Sequence, residues 1–300
     1  MKRFQSLITF LKKTWQQFSD DNGFMMAGAI SYFTLFSIAP LLVVIITVLS
    51  IITQSTDIEN ELFNQLGAIM GSDRSGELKN IVDNVKASRS GTLAAVISSV
   101  TLLISSTAVV INIKDTLNKA WNVIKDPSLG FKSMIIDRIL SVGFLVGIGF
   151  IFLVSLGLNA VATVFSKHIT NMIPVVSEPI IIVVSVSIGL MVSFILFYLL
   201  FRFLPDTKIH NNDLLVGAAI TTILFAVGKY VIGYYLGNSD IGNTFGSAGA
   251  LASFMIWVYY NAVILILGAE FTQVYAIENG RFIHPNEQSV KVERIIKKSM

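Results

Sequence analysis

Six long apolar stretches, separated by short polar segments, dominate the chain. The stretches are Ala27–Thr53, Thr92–Ile113, Ile139–Phe165, Pro179–Phe201, Leu214–Leu236 and Gly246–Ala276. A bilayer core is about 30 Å thick and takes roughly 20 apolar helical residues to cross. Each stretch is a continuous run, without the alternating segments of about ten residues that form membrane barrels. The pattern therefore predicts six transmembrane helices.

The composition agrees with an all-α, polytopic membrane helix bundle. Apolar residues make up 53% of the chain and charged residues 14%, and the mean hydropathy is +0.70. A soluble domain carries about 25% charged residues, and a disordered chain needs low hydrophobicity and high charge. Both classes are excluded. The absence of cysteine removes disulfides, thiolate metal sites and cysteine nucleophiles.

The distribution of basic residues predicts the orientation. Outside the spans, sixteen Lys and Arg residues lie on the side that holds both termini, and five lie on the other side. Basic residues favour the cytoplasmic side of membrane proteins. Both termini are therefore expected in the cytoplasm.

Polar segments flank this six-helix domain, which we place at residues 27–277. The arm, residues 1–26, is predicted to be an amphipathic helix in the inner headgroup layer. Its apolar positions at helical spacing are Phe4, Leu7, Ile8, Leu11, Trp15 and Phe18. The outer loop Gln54–Gly91 is predicted to form two short amphipathic helices, separated at Gly71–Gly76, that act as a lid or a ligand-binding cap. The basic tail, residues 278–300, is expected to be mobile and to touch anionic lipid.

Two charged residues lie within the spans, Lys229 and Glu270. Intramembrane charges are costly and are functional hypotheses by default. Their helical positions put them roughly 14 Å apart along the membrane normal, too far for an ion pair. Lys229 shares a helical face with Thr222 and Gly233, which suggests that it faces other helices, although outward snorkelling is the alternative. Glu270 is either part of a polar path or a structural hydrogen-bonding group.

Further intramembrane polar residues extend this candidate path. They are Ser98, Thr101, Ser105 and Asn112 in the second span and Tyr260 and Asn261 in the sixth. The alternative is simple hydrogen bonding between helices.

Pro40 removes a helical hydrogen bond and predicts a kink in the first span. Gly143 and Gly147 form a Gly-x-x-x-Gly pattern, which either indicates close helix packing or arises by chance, since it is common in such helices.

Catalytic motifs are missing from the sequence. The three histidines, His168, His210 and His284, are dispersed and have no metal-ligand spacing. Neither a phosphate-binding glycine loop nor a nucleophile elbow is present. We therefore expect no enzymatic activity, catalytic residue, metal, cofactor or nucleic-acid partner.

Several segments carry a family resemblance. They are Ala29–Pro40, Leu117-Asn118, Arg202–Pro205, Gly217-Ala218, Phe245–Leu251, Ile256–Tyr259 and Leu265–Glu270. Over about residues 10–280 the chain resembles the YihY/BrkB family of bacterial inner-membrane proteins. The resemblance implies six spans, cytoplasmic termini and a multi-pass location in the bacterial plasma membrane. It also implies links to serum resistance and to lipid A precursor export. The family has carried a ribonuclease BN label, but three dispersed histidines argue against a metal-dependent nuclease.

These observations predict a transporter or flippase of a lipid or other amphipathic solute. Membrane lipids are the expected partners, and a second copy of the chain or an envelope protein is left open. An anionic headgroup would suit Lys229, so Lys229→Met is expected to abolish transport. The alternative is a scaffold for envelope assembly. An enclosed, continuous polar cavity would favour the transporter.

Overall fold

The computed structural model describes residues 2–53, 59–60, 62–64, 72–87, 92–130, 133–151, 154, 177–238 and 249–292. Within these ranges the chain is mainly helical. The long helices are α1 (Lys2–Asp20), α2 (Gly23–Thr53), α3 (Ser72–Ala87), α4 (Thr92–Ala120), α5 (Ser133–Ile151), α6 (Ser177–Phe203), α7 (Asn211–Gly237) and α8 (Gly249–Glu278).

Among the described residues, five helices are long and apolar enough to cross a membrane: α2, α5, α6, α7 and α8. The predicted second span lies inside α4, which is not among the five, so the sixth span stays a prediction. The predicted third span begins six residues after the start of α5 and continues past Ile151, where most positions fall outside the described residues. The chain is a multi-pass helical membrane protein.

Helix α8 is the centre of the bundle and contacts α1, α2, α3, α4 and α7. Its small residues Ala262 and Ala269 are buried, which lets neighbouring backbones approach closely. Ser31 of α2 donates a hydrogen bond to the carbonyl oxygen of Met255 at 3.0 Å. Pro40 lies inside α2, whose helix continues to Thr53. The kink at Pro40 stays a prediction.

The α7–α8 contact is a reciprocal Gly–Thr packing. A Cβ atom added at Gly217 would collide with Thr272, and one added at Gly268 would collide with Thr221. Each threonine hydroxyl donates to the carbonyl oxygen of the glycine four residues earlier in its own helix, at 2.7 Å. Only glycine allows these two helices to approach so closely.

The packed face of α1 differs from the predicted one. Phe10 packs on α8, where the centroids of the Phe10 and Phe271 rings lie 4.8 Å apart in an edge-to-face arrangement. Thr14 is buried. Phe18 is fully buried, as the predicted apolar face requires, but Leu11 and Trp15 of that face are exposed. The exposed residues suit a helix that lies against headgroups, and this location stays a prediction.

The outer loop covers one end of the bundle in the described residues. Leu62, Leu78 and Val82 are buried in one cluster with Leu42 and Phe254 of the long helices. The predicted break at Gly71–Gly76 is wrong from Ser72 onwards, because these residues form the first turn of α3. Gly71 lies outside the described residues. A polar first turn of a helix has the same composition as a linker, and only its tertiary packing distinguishes the turn from a linker.

The tail forms two short strands within residues 284–291, and its predicted mobility from Arg281 stays a prediction. β1 (Val123–Lys125) pairs antiparallel with β4 (Ser289–Lys291), and β2 (Thr207–Lys208) pairs antiparallel with β3 (His284–Pro285). These strands are too short for a periodic signal, which is why the sequence pattern missed them. They tie the tail to the α4–α5 and α6–α7 connections. We call this end of the bundle, which also holds α1, the basic end.

Candidate functional site

A cleft of about 1020 Å³ lies between α5 and α6 at the basic end. We call it the α5–α6 cleft. Its apolar lining consists of Ile136, Ile139, Leu140, Gly143, Phe144, Gly147, Ile148, Phe150, Ile151, Leu196, Leu199, Phe203, Leu204 and Pro205. Its polar lining consists of Lys114, Asp137, Ser141, Asp206, Lys208, Asn286, Glu287 and Gln288. Ligand sites commonly have volumes of about 300–1,000 Å³, so the space suits an amphipathic molecule.

The cleft is long and open at its side. Its α5 wall runs from Asp137 to Ile151, a helical length of roughly 21 Å at the rise of an α-helix. One leaflet contributes roughly 15 Å, half of the hydrocarbon core. Leu140, Phe150 and Phe203 line the cleft and are exposed. An acyl chain in the surrounding bilayer therefore has lateral access to the wall.

Two glycines make room in this wall. A Cβ atom added at Gly143 or Gly147 would meet nothing within 4 Å. The prediction that these glycines mark close helix packing is wrong, since both face the cleft. The packed side of α5 is a narrow seam that includes Ser141 and Leu145, both 2% exposed. The Gly-x-x-x-Gly pattern is the same for a packed face and an open one.

A buried lysine joins the two walls at the basic end. The Lys114 ammonium lies 2.7 Å from Oδ1 of Asp137 on α5 and 2.8 Å from Oδ1 of Asp206, which follows α6. The Lys114 side chain is 6% exposed. A buried charge is stable only when it is paired and hydrogen-bonded. Lys125 also pairs with Asp137.

Asp206 also forms hydrogen bonds with Asn118, Asn286 and Ser289. Asn118 Nδ2 donates to Asp206 Oδ2 at 3.0 Å, and Asn118 Oδ1 accepts from the Asp206 backbone N–H at 2.8 Å. The Ser289 hydroxyl donates to the Asp206 carbonyl oxygen at 2.7 Å, and the Asn286 backbone N–H donates to the same oxygen at 3.0 Å. The tail thus closes the charged end of the cleft.

The charges at this end shift two pKa values. Burial favours the neutral amine of Lys114, but hydrogen bonds and charge attraction from Asp137 and Asp206 outweigh it and raise the pKa of Lys114. Asp115 lies next to this cluster. Desolvation of its carboxyl, and then the negative charge of Asp137, raise the pKa of Asp115 above its ordinary value. The first shift favours a charged lysine. Asp115 is itself exposed, so solvent screens the second shift and its effect is small.

Lys229 lies on an exposed face of α7 and not against other helices of the described bundle, so the predicted orientation is wrong, while a role of Lys229 in transport stays a prediction. Its side chain is exposed, and so are those of its neighbours Tyr230 and Tyr234. Thr222, earlier on the predicted face, is buried. Lys229 and Gly233 are exposed whereas Thr222 is buried, so the predicted stripe changes environment along its length. The location suits the snorkelling alternative.

Glu270 is completely buried at the α4–α8 contact. The Gln273 amide, oriented to satisfy its neighbours, donates to Glu270 Oε2 at 3.3 Å and to the Ala120 carbonyl oxygen at 2.7 Å. The Trp121 indole donates to the Ala269 carbonyl oxygen at 3.0 Å. The hydrogen bonds of Gln273 and Trp121 join the end of α4 to α8 around Glu270. They favour the structural alternative for Glu270.

The remaining predicted path residues do not come together. Asn261 donates to the Trp257 carbonyl oxygen of its own helix at 2.6 Å, and Tyr260 packs over Gly228. Ser105 and Asn112 are half-buried on α4. The side chains of Ser98 and Thr101 lie outside the described part of the chain. None of the described path residues lines the α5–α6 cleft.

The sequence did contain signals for the actual cluster. Lys114 was counted only as a topology charge, although it sits one residue beyond the predicted second span. Asn118 and Asp206 lie in or next to two of the segments that carried the family resemblance, and they pair with each other here. Two polar motifs at the same predicted end of different spans indicated a shared site.

The described residues hold no cluster of three or more metal-ligating side chains. His210 accepts a 3.4 Å hydrogen bond from the Asn212 backbone N–H and caps α7. His284 is exposed in β3, and His168 lies outside the described residues. The expectations of no metal and no cofactor stay predictions.

Comparisons with known proteins agree on one family. Residues 14–291 match the profile described as Virulence factor BrkB. A UPF0761 membrane protein of Pseudoalteromonas atlantica is 26% identical over 260 residues, which cover 84% of this chain and 80% of that protein. One of Psychromonas ingrahamii is 26% identical over 286 residues, covering 91% and 89%. No solved structure matches. With most of its length matched, the chain belongs to the BrkB family of membrane proteins.

Proposed function

We propose that the protein binds a membrane lipid or similar amphipathic solute in the α5–α6 cleft and moves it across the bacterial plasma membrane. The observation that carries this proposal is the form of the cleft. An apolar wall of roughly 21 Å is open at its side and ends in a charged cluster. An acyl chain matches the wall, and a polar headgroup matches the charged end.

The orientation that supports this function follows from the charge bias of the sequence. With six spans and both termini in the cytoplasm, the basic end lies at the inner headgroup level. A lipid of the inner leaflet would then meet the cleft with its headgroup at Lys208 and Glu287 and its chains along α5. In this proposal the headgroup moves along a lateral groove, and no enclosed polar cavity is needed.

An acyl chain can fill the cleft without leaving an apolar medium, because lipid tails are as apolar as the side chains of the wall. The glycines leave space for the chain next to the helix backbone. The balanced charges at the basic end avoid an unpaired buried ion. Retention of one particular lipid therefore depends on how its chain packs against the wall and on its headgroup contacts.

A comparison of two leucine variants tests this proposal. Gly147→Leu fills the cleft, while Gly233→Leu adds the same side chain to α7, where a Cβ atom also meets nothing within 4 Å. Leucine is about 1 kcal/mol more favourable than glycine in a helix, so neither variant is expected to unfold the protein. Purified proteins would be placed in liposomes with a fluorescent phospholipid in one leaflet.

We expect crossing faster than in empty liposomes for the natural protein and for Gly233→Leu, and a loss of at least tenfold for Gly147→Leu. Crossing no faster than in empty liposomes would contradict transport and favour the scaffold alternative. Equal rates of lipid crossing for both variants would show that the cleft is not on the transport path.

No RNA cleavage is expected from the same preparation, and metal-dependent cleavage would contradict the expectation that the protein is not an enzyme.

A further inference from the structure

The buried charges of the α5–α6 cleft neutralise one another. Lys114 and Lys125 provide two positive charges, and Asp137 and Asp206 provide two negative charges. All four groups make an ion pair within this set. An anionic headgroup therefore meets no uncompensated cation among them, and electrostatic complementarity decides the preference between ligands.

The mouth of the cleft adds one exposed charge of each sign. Lys208 and Glu287 both line the cleft, and the Lys208 ammonium lies 3.9 Å from Glu287 Oε1. Their side chains are 67% and 92% exposed, so each keeps hydrogen-bonding capacity for a ligand. The backbone of Lys208 is fixed by pairing with His284 in the β2–β3 sheet. Two opposite charges are thus presented side by side.

We propose that the cleft selects a phospholipid with a zwitterionic, amine-bearing headgroup of the phosphoethanolamine type over an anionic phospholipid. This inference rests on the proposed function of the cleft. The phosphate contacts Lys208, and the primary ammonium contacts Glu287. Both contacts are charge-assisted hydrogen bonds. The two-carbon link between phosphate and amine places these charges next to each other, as the protein places their partners.

The assignment predicts that the headgroup preference depends on Glu287. In Glu287→Lys the mouth carries two cations, and a lipid ammonium is repelled where it was attracted. A matched control is Glu278→Lys, which makes the same charge change in the exposed Lys13–Glu278 pair, outside the cleft lining. An exposed ion pair is worth up to about 1 kcal/mol, and reversal of one charge shifts the preference by about fivefold or more.

The experiment measures lipids retained by the detergent-purified full chain with native mass spectrometry. Phosphatidylethanolamine and phosphatidylglycerol with identical chains are offered together at equal concentration. We expect the natural protein and Glu278→Lys to retain more phosphatidylethanolamine, and Glu287→Lys to lower that ratio by about fivefold. A ratio of one or below for the natural protein, or an equal fall in both variants, would overturn the inference.

Two further arms separate this inference from the proposed function. Gly147→Leu is expected to lose the retained lipid whatever its headgroup, and retention unchanged by this variant would contradict binding in the cleft itself. Water-soluble glycerophosphoethanolamine is offered as a competitor at the same concentration. No displacement is expected, since the apolar wall supplies the affinity. Displacement would overturn the assignment to a lipid.

Discussion

The α7–α8 and α5–α6 pairs use glycine in opposite ways. Gly217 and Gly268 are filled by threonines of the partner helix, whereas Gly143 and Gly147 face open space. Burial follows the same division. In the most apolar stretches of α7 and α8, 33% and 44% of the residues are buried, against 17% in the corresponding stretches of α5 and α6. Glycine on a helix face therefore marks either contact or cavity, and the opposing residues decide which.

The comparison also explains the position of the ion cluster. In the described residues α5 is mostly exposed along its length, and polar contacts hold it at the basic end. Lys114 and Lys125 bind Asp137, and Arg138 donates to the Ile104 carbonyl oxygen of α4 at 2.5 Å. The exposed side chains of Leu140 and Phe150 leave the wall open to the bilayer.

The largest expected effect is that of Lys114→Met. Removal of this cation leaves Asp137 and Asp206 without a shared buried partner. Breaking a buried ion pair costs about 3–5 kcal/mol. Lys208→Met, at the exposed pair, is the control and is expected to cost under about 1 kcal/mol. Unfolding of the two variants in mixed micelles measures the difference, and equal stability would contradict the role of Lys114.

Alanine substitutions compare the glycines directly. Gly217→Ala and Gly268→Ala force a methyl group into a threonine and should lower the free energy of unfolding by about 1–3 kcal/mol. Gly143→Ala and Gly147→Ala add a methyl group to open space and should raise it by up to about 1 kcal/mol. The same unfolding assay decides the sign. Destabilisation of both helix pairs would contradict the open cleft.

A smaller effect concerns Asp115 and pH. Because its pKa is raised in the folded protein, protonation of Asp115 favours folding, and this stabilisation is lost as the pH rises through the folded pKa. Asp115→Asn should therefore be more stable than the natural protein at pH 7. The advantage should shrink as the pH falls and the natural carboxyl takes up its proton. Unfolding across pH 4–8 tests this, and an advantage that grows at low pH would contradict it.

The smallest expected effect is that of Lys229→Met. The exposed Lys229 lies outside the cleft, so lipid crossing should stay within about twofold of the natural rate, as for a surface substitution. The liposome assay above provides the measurement. Abolished crossing would return Lys229 to the transport path and would displace the cleft from it.

The sequence predicted the elements that depend on local apolar patterns. Continuous apolar runs predicted the long helices, and the amphipathic helices predicted for the outer loop agree with the burial of Leu62, Leu78 and Val82. It did not predict the tail strands, because two or three residues are too few to show the hydrophobic alternation of a strand. It misplaced the site because Lys229 stood out within a span, while Lys114 and Asp206 lay just beyond span ends, where charges are ordinary. Their pairing depends on how the helices meet.

The α5–α6 cleft is expected to hold the acyl chain of a lipid. The natural chain lacks cysteine, so one label can be placed by Leu140→Cys at the cleft and, near the same end of the bundle, by Leu215→Cys on exposed α7. A fluorophore at each position would be challenged with phosphatidylethanolamine spin-labelled on its acyl chain. We predict that one lipid per protein quenches the Leu140 label, whereas the Leu215 label is quenched only as lipid accumulates in the micelle. Equal quenching at both positions would contradict the account.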